Sequence, residues 1–214
     1  MSTRSQQRPV RHPVFARCYA RVGHLLDAEV AGHRSKLLAG LAGRVIEVGA
    51  GNGLSFPHYP ATVTEVVAVE PEPYLRRLAL AAARRAPVPI RVVDGTAEAL
   101  PAPDTAVDAV VASLVLCTVQ DLDRALAEAR RVLRPGGTLR FFEHVRGEDP
   151  RLARWQDRLE RPWGWLAGGC HPNRDTVAAI TAAGLRVVAL ERFDLQAMPA
   201  LARPHVLGVA ERPR

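Results

Sequence analysis

Lysine is almost missing from this chain: Lys36 is the only one, although the formal net charge is +7. The positive charge is therefore arginine, spread without a polybasic block. Such a spread leaves two readings, an anionic partner or the arginine and alanine usage of a GC-rich genome. Cysteine is scarce as well. Cys18, Cys117 and Cys170 never approach a C-x-x-C spacing, which argues against a disulfide framework and against a zinc cage. Long apolar runs are lacking: the stretch 106–119 carries Asp108, Ser113 and Thr118 and is too short and polar to span a bilayer. The start, "MSTRSQQRPVRHPVF", holds no apolar signal-peptide core. Residues 1–13 are accordingly expected as a flexible basic tail on a cytoplasmic protein.

What is present is an alternation. A chain of 214 residues is one ordinary domain, here 14–214, able to bury a core without disulfides or metals. Residues 15–41 are helix-like, with Gly23 and Gly32 as breaks, which predicts N-terminal helices within 14–43. Strand-like runs follow at 44–48, 64–70, 90–94, within 106–116, and at 138–145, 185–193 and 204–212. Between them lie helical segments at 74–85, 121–133, 151–160 and 174–184. In 121–133, Leu122, Ala125, Leu126, Ala129 and Leu133 share one face and Asp121 is a candidate N-cap. Strands alternating with helices predict an α/β fold, a doubly wound and mostly parallel sheet. The loop 194–203 is too short for a helical crossover, so the last two strands should pair antiparallel, giving seven strands with a reversed last one.

The first strand ends in "VIEVGAGNGLSF". Glycines there let a backbone approach a ligand closely. A phosphate loop would need Lys and then Ser or Thr after the last glycine, but Leu54 and Ser55 follow Gly53. A dinucleotide loop would need a glycine at position 54 and a long first helix; Leu54 denies the first and "SFPHYP", with two prolines, the second.

The pattern Glu47, Gly49, Gly51, Gly53 instead resembles the first motif of class I S-adenosylmethionine (SAM) methyltransferases. Glu70, at the end of "VVAVE" and 21 residues after Gly49 (70 − 49), stands where that family's ribose-binding acid ends the second strand. A carboxylate accepts two hydroxyl hydrogens at once. The segment "DGTAEALPAPDTAVDAVVAS" is similar to the stretch that runs along the adenine, and "RVLRPGG" to the turn before the fifth strand. The resemblance implies SAM as cofactor, held by Glu47, Gly49, Ala50, Gly51, Gly53, Glu70, Pro71, Thr96, Ala97, Glu98, Ser113 and Leu114. Tyr19 would close over it. Many relatives have Asp where this chain has Thr96.

A narrower resemblance, to the animal alkyl thiol methyltransferases and their bacterial relatives, rests on "LVLCTV", "LRPGGTLRFFEHV", Trp155, Gln156, "GC" (169–170), Arg174 and "RPHVLGVA". It implies a small-molecule acceptor, with a thiol sulfur favoured over oxygen or nitrogen on a lipid or secondary metabolite. The animal proteins carry an apolar membrane anchor where this chain has a polar tail, which leaves peripheral membrane contact open. Residues 146–184 would cover the acceptor.

An unperturbed thiol has a pKa of about 8.5, so a nearby base or cation would raise its thiolate fraction. The catalytic candidates are His144 and His171, beside Arg146 and Arg174. Each histidine has an alternative structural role, as does Cys117, which reads equally as a small buried hydrophobe. Cys170 beside His171 lacks a third ligand, so no metal is expected. Trp155, Trp163 and Trp165 read either as an apolar lid or as packing for the late helices. The stretch "SLVLC" stands where base-methylating enzymes place Asp/Asn-Pro-Pro-Tyr, so no nucleic-acid partner is expected. A non-catalytic SAM-binding domain is a further reading, because a fold does not fix a function. The sequence assigns no oligomeric state.

Overall fold

The computed structural model describes residues 13–214, without the side chains of residues 13–14 and 22–29. Seven strands form one sheet: β1 (Gly43–Val48), β2 (Val63–Val69), β3 (Ile90–Val93), β4 (Val107–Ser113), β5 (Leu133–His144), β6 (Arg186–Asp194) and β7 (Pro204–Glu211). Their order is β3-β2-β1-β4-β5-β7-β6. The first five are parallel, and β7 inserts antiparallel between β5 and β6. The predicted class and the reversed last strand are both present.

Alternation along each central strand divides the core. Ile46, Val48, Val67, Val69, Val110 and Ala112 face one side, packed with Leu126 and Ala129 of α3 (Leu122–Val132) and Ile180 of α5 (Thr176–Ala182). Val45, Val66, Ala68, Ala109 and Val111 face the other, against Leu37 and Leu38 of α1 (Pro13–Leu38) and Ala79 of α2 (Pro73–Ala83). Strands buried on both faces are mostly apolar, as these are, with Glu47 the buried exception in β1. Each fully buried Leu contributes about 1.5–3 kcal/mol.

The helix starts are legible in side chains. Glu72, Asp121, Asp149 and Asp175 each accept a backbone N–H one to three residues into α2, α3, α4 (Pro150–Leu166) and α5. Such caps contribute about 1 kcal/mol apiece.

Two expectations are corrected. The N-terminal region is one helix: α1 runs through both Gly23 and Gly32. A helical glycine costs only about 1 kcal/mol, less than the burial of Val30, Leu37 and Leu38 returns. The tail expected at 1–13 lies outside the described residues except for Pro13, which opens α1. Helix α4 likewise continues past its expected end at 160 to Leu166, with Pro162 inside it. Proline there forfeits one hydrogen bond to the preceding turn, and the helix resumes with Ala167 N–H on the Trp163 carbonyl.

Candidate active site

Ligands of open parallel sheets bind beyond the carboxyl ends of the strands. Here those ends hold a cleft of about 390 Å3 that includes Gly49, Pro71, Thr96, Ala97, Glu98 and His171. A second hollow of about 150 Å3 adjoins it, lined by Tyr19, Gly51, Glu70, Ser113 and Leu114, and sharing Gly49 and Pro71. The loop after β1, the acid after β2, the loop after β3 and the end of β4 thus converge on one trough.

Gly49 and Gly51 have φ of +63° and +58°. A Cβ on Gly49 would lie 2.3 Å from Val115 Cγ2, whereas one on Gly51 would meet nothing nearer than Tyr19 at 3.5 Å. Gly51 therefore leaves room on the trough side. Glu70 is 5% exposed, and its two oxygens accept the N–H groups of Gly51 at 2.8 Å and Glu72 at 2.9 Å. Burial raises its pKa to about 7, against the lowering effect of those two hydrogen bonds. Glu98 accepts from the N–H groups of Gln120 and Asp121, which ties the β3 loop to the start of α3. Leu114, at the trough floor, has φ +57°, an uncommon angle for a branched residue, and donates its N–H to the Phe142 carbonyl at 2.7 Å.

Three of the expected cofactor residues sit behind the trough instead of on its wall. Glu47 is buried and accepts the Tyr59 hydroxyl at 2.9 Å; burial lifts its pKa to about 7. Ala50 donates its N–H to the Val69 carbonyl. Gly53 (φ +82°) is packed at 2.8 Å from Phe56 and Ala82, measured from a hypothetical Cβ. These residues shape the glycine loop from beneath.

An apolar cavity of about 200 Å3 adjoins the second hollow and shares Phe15, Tyr19, Leu114 and Thr118 with it. Val30, Trp163, Leu195 and Met198 line it further, and Cys117, His144, Cys170 and His205 supply sulfur and nitrogen. Of the three tryptophans only Trp163 reaches this cavity; Trp155 and Trp165 are 53% and 84% exposed, so neither a three-ring lid nor simple packing describes the set.

The two catalytic candidates are separated. His144 lines the apolar cavity, 3.3 Å from the Cys170 sulfur. His171 lines the larger cleft instead and pairs with Glu160 at 2.8 Å. The cysteines correct the reading of a scattered set. Cys117 and Cys170, 53 residues apart (170 − 117), are both buried and meet beside His144, which supplies the third ligand that the chain order concealed. The hydrogen bond between the two thiols makes Cys170 the more acidic and holds Cys117 above its ordinary value.

The sequence also left Glu143 unremarked. It is fully buried, and its oxygens accept the N–H groups of Val115, Leu116 and Cys117 at 3.0, 3.0 and 3.3 Å. Burial raises its pKa to about 7. Arg174 donates to the Leu116 and Val119 carbonyls, and Gln156, also fully buried, bridges Gly147, Val145 and Leu201. His205 donates Nδ1–H to the Arg203 carbonyl, and burial depresses its pKa to about 4, so it is neutral.

A family described as "Methyltransferase domain" matches residues 46–141. Human thiol S-methyltransferase TMT1A is 34% identical over 178 residues, which cover 80% of this chain and 72% of that protein. The chain belongs to the class I SAM-dependent methyltransferases. Human thiol S-methyltransferase TMT1B is also 34% identical, over 183 residues, 82% of this chain and 74% of the relative. In fold, a geranyl diphosphate methyltransferase solved in complex with SAM superimposes with a TM-score of 0.67 at 16% identity, covering 92% of this chain and 90% of its own.

The residues of this methyltransferase fit SAM. A carboxylate offers about four acceptor positions. Glu70 uses two on backbone N–H groups, which leaves one on each oxygen for a pair of vicinal hydroxyls. When bound, SAM supplies a methyl group already activated on a sulfonium. The chain's share is to hold it, to position the acceptor and to exclude water. Among the described residues no helix is long and apolar enough to cross a membrane.

Proposed function

We propose that this methyltransferase acts on a small, mostly apolar thiol seated in the cavity of about 200 Å3 beside the cofactor trough. One observation carries the reading: the cavity walls are almost wholly apolar, and the few polar side chains on them include the cluster of Cys117, Cys170 and His144, together with Arg34, Thr118 and His205. An apolar pocket with a few convergent polar groups selects a greasy molecule with one reactive end. The names of the relatives, thiol S-methyltransferases, support sulfur at that end.

Tyr19, which lines both the trough and the cavity, closes the passage between cofactor and acceptor. Glu47, Ala50 and Gly53 act on SAM indirectly, by shaping the loop that Gly49 and Gly51 present. Thr96, Ala97, Glu98 and His171 receive the adenine end of SAM, and Ser113 and Leu114 the end that carries the methyl group. His144 favours the thiolate of the acceptor. His171 is a wall and positioning residue, held by Glu160. Three free cysteines suit a reducing compartment, the cytoplasm.

A second reading, an oxygen or nitrogen acceptor, rests on His205. Its Nε2 is buried without a hydrogen-bond partner in the same cavity, and a hydroxyl or amine hydrogen would satisfy it. Release of S-adenosylhomocysteine with a panel of alkyl thiols, phenols and amines separates the two. Turnover confined to thiols supports the first; turnover of phenols or amines alone supports the second.

A further inference from the structure

Cys117, His144 and Cys170 come from three segments: the loop after β4, the end of β5 and the loop after α4. One donor atom from each lies within 4.8 Å of the other two, and all three residues are buried. Cys170 Sγ and His144 Nδ1 are 3.3 Å apart. Zinc–sulfur and zinc–nitrogen bonds of about 2.3 and 2.0–2.1 Å place neighbouring tetrahedral donors roughly 3.5–3.8 Å apart. Small side-chain rotations therefore bring all three donors onto one ion.

The far side of His144 is arranged for ligation. Its Nε2 lies 3.3 Å from the Leu201 carbonyl, which can only accept, so Nε2 carries the hydrogen and the Nδ1 lone pair faces the sulfurs. Gln156 Nε2 donates to the same carbonyl at 2.9 Å and fixes it. A ring N–H on a backbone carbonyl is the usual outer support of a metal-binding histidine. The cysteine loops are braced as well. Glu143 holds the N–H groups of 115–117, and His171 N–H donates to the Cys117 carbonyl at 2.8 Å.

We propose that Cys117, His144 and Cys170 form a binding site for a borderline-soft divalent cation, zinc by preference, with its fourth position open to the apolar cavity. Two thiolates and one imidazole select zinc over magnesium or calcium, which require oxygen donors. Three protein ligands and one open position are the arrangement of a reactive zinc centre, not of a closed structural one. All three ligands line the cavity, so the open position points into it. The last step rests on the thiol reading: an entering thiol displaces water from the ion, its sulfur–metal bond forms, and its proton passes to that water. The acceptor is then held as thiolate at neutral pH.

The test is cobalt binding to the full chain, stripped with a chelator and kept reduced. Co2+ should give sulfur-to-metal charge-transfer absorption in the near ultraviolet and tetrahedral ligand-field bands in the red. Both should saturate at one equivalent per chain and be displaced by Zn2+. Cys18→Ser, which removes the exposed thiol outside the cluster, should leave the spectrum unchanged. Cys117→Ser with Cys170→Ser should abolish the charge-transfer band, and His144→Ala, which removes a direct ligand, should weaken binding by more than the roughly 10–100-fold that loss of an outer support costs. An alkyl thiol should shift the ligand-field bands. No charge-transfer band in the folded wild-type chain, or the same band in the double cysteine variant, overturns the site. Thiol methylation that persists without any such spectrum sinks the metal and spares the acceptor reading; a saturating spectrum with no thiol turnover supports the site and sinks that reading.

Discussion

The carboxylate of Glu70 accepts the backbone N–H of Gly51 at 2.8 Å, so the acid after β2 and the glycine loop after β1 act as one unit. Glu70→Ala should therefore lose the charge-assisted bonds to the ribose, about 1.5–3 kcal/mol, or roughly 10–150-fold in SAM affinity. Glu70→Gln keeps an acceptor for Gly51 and should lose less. Calorimetry on the folded variants checks this, and unchanged SAM binding in Glu70→Ala would remove Glu70 from the site.

The two neighbouring glycines should fail differently. Gly51→Val has space within the protein but a φ of +58° and a side chain on the trough side. It should abolish SAM binding while keeping a cooperative melt. Gly49→Ala instead places a methyl 2.3 Å from Val115 Cγ2 and should lower the melting temperature. Adding Val115→Ala should recover part of that loss. Thermal melts and SAM titrations of the three variants separate a binding effect from a packing one.

Buried acids set a pH dependence. Glu47 and Glu70 both have pKa values raised from 4.5 to about 7, first by burial. The native chain then holds more protons than the unfolded one between those values, so stability falls as pH rises through that window. The contribution is fully present below pH 4.5 and lost above about 7. Melts of the SAM-free protein across this range should show the fall, and Glu47→Gln should flatten it. An equal slope in that variant would contradict the assignment.

Glu143 offers a stability test beside the cavity. Removing its carboxylate leaves three N–H groups without their acceptor, at a cost of about 1–3 kcal/mol for each that stays buried. Glu143→Ala should melt well below wild type. Glu143→Gln keeps one oxygen for Val115 and Leu116 and should fall between them.

The strands and the cofactor trough were legible because their signals are local. Short apolar runs mark the strands, and the glycines and Glu70 lie within a few residues of strand ends. The long α1 and the end of α4 were not: burial of Val30, Leu37 and Leu38 outweighs the cost of a helical glycine, and α4 runs on through Pro162 although Trp165 and Leu166 beyond it are exposed. The Cys117–His144–Cys170 cluster is a product of topology. β4 and β5 are neighbours in the sheet, which brings their ends together, and the backbone bond from His171 to Cys117 returns the third segment to them. The adjacent ends of β4 and β5 were a usable signal for the first pair; nothing local pointed to Cys170. Glu143 escaped notice because an acid one residue before a candidate histidine reads as solvated.

The central claim is that the acceptor is a thiol bound at the Cys117, Cys170 and His144 end of the cavity. The most direct measurement is the pH–rate profile of S-adenosylhomocysteine release with alkyl thiols of differing acidity, for wild type and His144→Ala. The rate should rise with pH to a plateau, reached earlier by the more acidic thiol. In His144→Ala the profile should move to higher pH by more than SAM affinity weakens. Turnover of phenols or amines with no turnover of any thiol would contradict it.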